Sequence, residues 1–135
     1  MQFPERWSQL DVELCHDWLT GMRGGERVLE LLCRAFPRAP VTTLIHNPAA
    51  VSDTINRHRV NTSWLRHVPG INRHYRPFLP LFPRTIEGFP PAEGDLLIST
   101  SHCVAKGRRH AAHCRHLCYC FTPMRYAWRF QDEYF

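Results

Sequence analysis

Lysine is almost absent from this chain, although the chain is basic. The net charge is +5, and Lys106 is the only lysine among 17 basic residues, the others being arginine. A positive charge suits anionic partners such as phosphates, nucleic acid or an acidic membrane surface. So complete an excess of arginine is more typical of a codon bias than of selection for nucleic acid. Lys106 therefore stands out, because a compact ammonium group and a guanidinium are not interchangeable.

Long apolar runs are absent as well. The first residues, MQFPERWSQL, contain no apolar core of signal-peptide length, and no stretch approaches the roughly 20 apolar residues of a membrane span. We therefore expect a cytoplasmic chain whose six cysteines are reduced thiols. No C-x-x-C pair occurs, and Cys118 and Cys120 are expected on one face of a buried strand, as small hydrophobes. This pattern predicts neither a zinc site nor another cofactor.

The apolar pattern alternates between strand and helix. Strands are predicted at 11–16, 41–46, 95–99 and 116–121, and helices from Glu26 to residue 36, within 48–55 and, in short pieces between prolines, within 76–89. The chain is long enough for one domain. Alternating strands and helices indicate an α/β fold with a mainly parallel sheet. Glu13 is out of place in such a strand, because a parallel sheet buries both of its faces.

Two adjacent glycines separate the first predicted strand from the first predicted helix, in the stretch HDWLTGMRGGERVLELL. Ligands of open α/β sheets bind at the carboxyl ends of the strands. Gly24 and Gly25 would let the backbone approach a ligand closely, and the unpaired amides of a helix start attract phosphate. The fingerprint G-x-G-x-x-G is absent, however, and a plain turn that starts a helix has the same pattern. The sequence alone leaves both interpretations open.

Two further stretches contain candidate functional residues. In DLLISTSHCVAKG, Ser101 can cap a helix, and His102 and Lys106 would share a helix face, where they could bind an anion or assist a proton transfer. The alternative is a capped surface helix with an exposed lysine. The run from Arg57 to Arg76 is basic and aromatic. It could bind nucleic acid by stacking, dock on anionic lipid headgroups, or form a solvated face.

Four stretches together resemble one family. HDWLTGMRGGERVLE, RPFLPLFPRTIEGF, DLLISTSHCVAKG and CYCFTPMRYAW are similar, in this order, to the amino-terminal part of family-four glycosyltransferases, in particular the mannosyltransferase-like enzymes of bacterial O-antigen and exopolysaccharide assembly. The resemblance implies the GT-B fold, in which two Rossmann-like domains face each other across a cleft. The amino-terminal domain mainly binds the acceptor and the other binds the nucleotide sugar. Residues 1–135 would then form a single, truncated acceptor-side domain with a Rossmann-like parallel sheet and flanking helices.

The resemblance also implies an activity and its residues. The family moves a sugar, with mannose as the first candidate here, from a nucleoside diphosphate to a glycan or lipid-linked acceptor with retention at the anomeric carbon. Gly24 and Gly25 would face the donor diphosphate from across the cleft. His102 and Lys106 match the family's Ser-His-x-x-Ala-Lys-Gly stretch and would be the catalytic pair. The residues expected to line the cleft are Ser101 and, from the Thr-Pro-x-Arg-Tyr match, Arg125 and Tyr126.

Two departures from the family pattern bear on activity. Phe121 stands where the family commonly has a histidine, and phenylalanine can neither titrate nor donate a hydrogen bond to a sugar. The donor domain is also missing from the sequence, and holding donor and acceptor in attack geometry accounts for roughly 7–11 kcal/mol of a barrier. We therefore expect the chain alone to be inactive.

Two alternatives to a glycosyltransferase remain from the sequence. One is a non-catalytic module that binds an anionic lipid or a partner chain, and the other is a small nucleic-acid-binding protein, although nucleic acid is not the expected partner. For a glycosyltransferase, a peripheral contact with the inner face of an anionic membrane is a further expectation.

Overall fold

A parallel five-stranded sheet lies at the centre of the computed structural model, which describes residues 4–101 and 103–120. The strands are β1 (Val12–His16), β2 (Val41–Thr43), β3 (Val60–Asn61), β4 (Leu96–Ser101) and β5 (Arg115–Cys120). Their order across the sheet is β3-β2-β1-β4-β5, and every pair of neighbours is parallel. The helices are α1 (Gly24–Ala35), α2 (Asp53–Asn56) and α3 (Phe82–Glu87). The predicted α/β fold with a Rossmann-like parallel sheet and flanking helices is confirmed.

The elements follow the apolar pattern, with two differences. The helix predicted within 48–55 is split into the 3-10 helix Pro48–Ala50 and α2. Strand β3 was not predicted, because its two residues lie inside the basic run and carry no alternating pattern of their own. The prolines of 76–89 limit that stretch, as predicted, to the 3-10 helix Arg76–Leu81 and the six residues of α3.

Helix α1 is the longest helix in the described part of the chain, with 12 residues. It buries Leu29 and Cys33 on one side and exposes Arg34, whose guanidinium lies 3.0 Å from the Glu30 carboxylate. Such an i,i+4 pair stabilises the exposed side of the helix. Between residues 4 and 101 and between 103 and 120, no helix is long and apolar enough to cross a lipid bilayer.

Both faces of the sheet are covered, by different elements. Successive residues of a strand point to opposite faces, so Leu14 and Cys15 of β1 belong to different clusters. Leu14 packs with buried side chains of α1 and α2, whereas Cys15 packs with Phe82 and Ile86 of α3 and with the segments that precede it. The sheet is therefore the middle layer of three, and its carboxyl edge is the place where loops from both sides meet.

An ion pair explains why Glu13 can lie in the central strand. Its carboxylate contacts the guanidinium of Arg108, which is 5% exposed. The same guanidinium donates a 2.7 Å hydrogen bond to the carbonyl of Pro90 and lies 5.6 Å from the centre of the Phe89 ring. A buried charge is tolerated when it is paired and hydrogen-bonded. Arg108 thus supplies the partner that the sequence position of Glu13 did not reveal.

Candidate functional site

The loops that follow β1 and β4 leave the sheet side by side. His16 is in register with Thr100, so the two central strands end at the same level of the carboxyl edge. The structure describes four of the predicted site residues: Gly24 and Gly25 begin α1, after the loop that follows β1, Ser101 is the last residue of β4, and Lys106 lies in the loop after β4. The other predicted positions lie outside the described residues: His102, Phe121, Arg125 and Tyr126.

The start of α1 is open and has no side-chain cap. Arg23, the residue before the helix, is extended, and its side chain makes no capping hydrogen bond. Gly24 is exposed, and a Cβ atom at this position would meet no atom within 4 Å. Among the described residues, positive φ occurs only at Gly70, so neither Gly24 nor Gly25 serves a left-handed backbone. Neither packing nor backbone conformation requires glycine at position 24.

The charges around this helix start are divided between interior and surface. Glu26, in the first turn, is 9% exposed, and its carboxylate lies 3.7 Å from Nε2 of the buried His16. Nδ1 of His16 is hydrogen-bonded to the hydroxyl of Thr100 at 2.6 Å. Glu26 is thus engaged with the interior, while Arg23 and Arg27 are exposed on the surface of the turn. Free first-turn amides and exposed guanidinium groups together favour an anion at this point.

The loop after β4 is fixed by a buried carboxylate from the loop after β1. Asp17 is fully buried, and its Oδ1 accepts hydrogen bonds from the amides of Val104 and Ala105 at 2.8 and 2.6 Å. The amide of Cys103 donates to Oδ2 at 3.1 Å, and the hydroxyl of Ser101 donates to Oδ1 at 3.2 Å. Backbone amides arranged around a carboxylate form an anion-binding concavity. Here the protein's own Asp17 fills it, so the amides of residues 103–105 are not available for a ligand.

The helix predicted after β4 is not formed in the described part of this loop, which contains only the 3-10 helix Ala105–Gly107. Ser101 is fully buried, and its hydroxyl accepts a 3.2 Å hydrogen bond from the amide of Lys106. The side chain of Lys106 is exposed at the carboxyl edge. Ser101 therefore stabilises the loop from the interior. Of Ser101 and Lys106, only Lys106 has a side chain that can reach a ligand.

A second imidazole lies farther along the sheet. Nε2 of His116, in β5, is 2.7 Å from the hydroxyl of Ser99, and its ring contacts that of His110 edge to face. Burial lowers the pKa of His116, and the nearby His110 and Arg108 lower it further. This imidazole is thus biased towards its neutral form, in which one ring nitrogen accepts a hydrogen bond.

The cysteines divide into buried and exposed groups. Burial raises the pKa of the thiols of Cys15, Cys33 and Cys103 to about 12, so these thiols stay protonated and unreactive. Cys118 and Cys120 are exposed, and the prediction that they lie in a buried strand is wrong. Strand β5 is the edge of the described sheet, and Leu117 and Tyr119 on its opposite face are also more than half exposed. In residues 4–101 and 103–120, no group of three or more potential ligands could hold a metal ion.

Comparison with known proteins leaves the family open: no family model, no curated protein and no solved structure matches this chain.

The residues that organise the candidate site were not predicted from the sequence. Two of them, His16 and Asp17, precede the glycine turn, and Glu26 follows it. Asp17 directly follows a predicted strand. An acid at the carboxyl end of a central strand was the available signal. Its partners, 84 or more residues away, could not be read from spacing.

Proposed function

We propose that this chain is the acceptor-side domain of a retaining glycosyltransferase of the GT-B type. It would serve the transfer of a sugar, with mannose as the first candidate, from a nucleoside diphosphate to a glycan or lipid-linked acceptor. The observation that carries the proposal is the open start of α1, with a glycine that the fold does not need. The sequence resemblance supports it, and so does the parallel sheet, in which ligands bind at the carboxyl edge.

The start of α1 would stabilise the leaving diphosphate. In this proposal the amides of Gly24 and Gly25 donate hydrogen bonds to diphosphate oxygens, and the exposed Arg23 and Arg27 add positive charge. Charge builds on the diphosphate as the bond to the sugar breaks. Donors that are already fixed at that place stabilise the transition state without reorganising. A Cβ atom at Gly24 would occupy the space into which the diphosphate must come.

The loop after β4 would complete the same edge. Asp17 fixes its backbone, so that Lys106 projects from a rigid support. Its ammonium group would pair with a phosphate or with an acceptor group. His102 belongs to the same loop in sequence and would act with Lys106 in proton transfer or sugar binding. Asp17 is a positioning residue in this scheme, since its carboxylate already accepts hydrogen bonds from the loop amides and does not contact a ligand.

Gly24→Ala separates ligand binding from folding, and Gly21→Ala is its control. A Cβ atom meets nothing within 4 Å at either glycine, so both variants should be as stable as the parent chain. We expect pyrophosphate or a nucleoside diphosphate to shift the amide resonances of Gly24 and Gly25 in NMR titrations. Gly24→Ala should weaken this binding about ten-fold or more, by loss of close approach to the amides. Gly21→Ala should not change it.

Failure of either diphosphate probe to perturb the start of α1 would overturn the assigned role. An equal loss in Gly21→Ala would do the same, because it would show an indirect effect on the loop. The chain alone should not transfer sugar, since one domain cannot hold donor and acceptor in attack geometry. Sugar transfer by the purified chain would contradict that expectation.

A further inference from the structure

A cavity opens at the amino edge of the sheet, opposite the edge at which β1 and β4 end. Its volume is about 550 Å³, which is in the range of small-molecule sites. Val12 begins β1 and Ala39 lies just before β2, and both line the cavity. Helix α1 runs back from the carboxyl edge to this one over about 18 Å. The cavity is therefore separate from the candidate site at the start of α1.

The wall of this cavity is fixed by contacts of its own residues. The amide of Asp11 donates a 2.9 Å hydrogen bond to the Asp95 carboxylate, and its carbonyl accepts from the amides of Asp95 and Leu96 at 2.7 and 3.2 Å. On the other side, the ring of Trp7 stacks on that of the buried Phe36, with their centres 5.5 Å apart and their planes inclined by 14°. The cavity thus has a carboxylate on a fixed backbone and an aromatic side.

Two opposite charges line the cavity without pairing. Asp11 and Arg38 are both exposed there. Among the described residues, neither the Asp11 carboxylate nor the Arg38 guanidinium forms an ion pair or a hydrogen bond, with each other or with another group. The side-chain amide of Gln9, which also lines the cavity, makes no hydrogen bond within that part of the chain. All three polar groups are therefore available to a ligand.

These groups restrict the chemistry of a ligand. A simple anion would be attracted by Arg38 but repelled by Asp11. A metal ion would find no group of three potential ligands among the described residues. A purely apolar molecule would bury both charges without a partner, at a cost. The ligand that fits has N–H donors at one end, an anionic group at the other and a flat apolar body.

We propose that this cavity binds a purine nucleoside monophosphate. The base packs against the side chains of Trp7 and Leu10 and donates N–H groups to the Asp11 carboxylate, while Gln9 contacts the base edge. The phosphate pairs with the guanidinium of Arg38, whose fork of donors suits phosphate oxygens. A purine offers a larger face than a pyrimidine and carries an exocyclic amine. The carbonyl oxygens of uracil would instead be repelled by Asp11. The inference concerns the other edge of the sheet and does not depend on sugar transfer.

NMR titration of the full 135-residue chain tests the proposal. The probes are guanosine monophosphate and adenosine monophosphate, with uridine monophosphate and inorganic phosphate for comparison. The test variants are Arg38→Gln and Asp11→Asn. Their matched controls, Arg6→Gln and Glu93→Gln, remove the same charges from exposed positions that do not line the cavity. Thermal melting should show that all four variants fold, since the altered side chains are exposed.

We expect both purine nucleotides to shift the indole N–H resonance of Trp7 and the amide resonance of Ala39 in a saturable way. Uridine monophosphate and phosphate should bind about ten-fold more weakly or less. Arg38→Gln should weaken purine nucleotide binding about ten-fold or more, by loss of the charged pair, and Asp11→Asn about five-fold or more. The controls should change it by less than about two-fold.

Three results would overturn the site. The first is the absence of saturable shifts with either purine nucleotide. The second is an equal loss in the control variants, or equal affinity for the uridine nucleotide. The third is a set of shifts confined to the amides of Gly24 and Gly25, because the nucleotide would then bind at the start of α1 and not at the amino edge. Binding at the amino edge alone would leave this inference intact while contradicting the diphosphate role of α1.

Discussion

Replacing Asp17 by asparagine should loosen the loop after β4 and destabilise the whole domain. The Asp17 carboxylate accepts hydrogen bonds from Ser101, Val104 and Ala105 at one oxygen and from Cys103 at the other. An asparagine keeps one acceptor oxygen but presents an NH₂ group to the second set of donors. At least one buried amide then has no partner, and the remaining bonds lose the assistance of a negative charge.

The magnitude follows from these contacts. A buried donor left without a partner costs about 1–3 kcal/mol, and three bonds that lose their charge assistance each weaken by about 1 kcal/mol. Asp17→Asn should therefore lower the free energy of unfolding by about 4–6 kcal/mol, a large part of the roughly 5–15 kcal/mol typical of a domain. Glu93→Gln is the control, because it removes one negative charge from an exposed position, and should change the free energy by less than about 0.5 kcal/mol.

Urea unfolding gives the global effect, and hydrogen exchange gives the local one. The amides of Cys103, Val104 and Ala105 should exchange much faster in Asp17→Asn, whereas those of α1 away from the site should change only as far as global stability does. The reasoning would be refuted by a free energy of unfolding within about 1 kcal/mol of that of the parent chain, together with unchanged protection of these three amides from hydrogen exchange. The Asp17 carboxylate would then not be what holds the loop.

Three further predictions concern other parts of the molecule. Because the pKa of His116 is lowered in the folded chain, its contribution to stability is complete above the unfolded pKa of about 6.5 and is lost as the pH falls below that value. His116→Gln should therefore reduce the slope of the free energy of unfolding against pH on the acid side. An unchanged slope would count against the burial of this imidazole. Iodoacetamide should label Cys118 and Cys120 rapidly in the native chain and the other cysteines only in urea, as read by mass spectrometry; rapid native labelling at a third site would contradict the burial. In Gly94→Ala the new Cβ atom would lie 2.6 Å from the carbonyl oxygen of Asp11, so the midpoint of urea unfolding should fall by the equivalent of about 1–3 kcal/mol, and an unchanged midpoint would show that the backbone yields freely.

Short-range patterns predicted the main strands and α1 correctly, but not β3 or the split of residues 48–55. The helix of Glu26 to residue 36, the ion pair between Glu30 and Arg34 and the strand before the glycines all depend on residues a few positions apart. Periodicity reports which side of an element is buried, and proline reports where a helix cannot continue. The parallel sheet followed from the alternation of strands and helices, which can be recognised before any contact is known.

The candidate site was predicted only in outline. Gly24 and Lys106 were selected by residue type and by their place after a strand, and the structure puts both at the carboxyl edge. The exposure of Cys118 and Cys120 was missed, because an apolar-looking strand is buried only if a neighbouring layer covers it. Whether such a layer exists is a property of the folded chain.

The sequence by itself determined the α/β fold, the buried side of the amphipathic helix α1 and the absence of acidic residues from 54–86. Tertiary structure alone decided that Asp17 fills the amide concavity after β4 and that Arg108 neutralises Glu13. Each of these pairs joins residues more than 80 positions apart. The physical reason is that a buried charge selects its partner by distance in space, and the sheet order, rather than spacing along the chain, sets that distance.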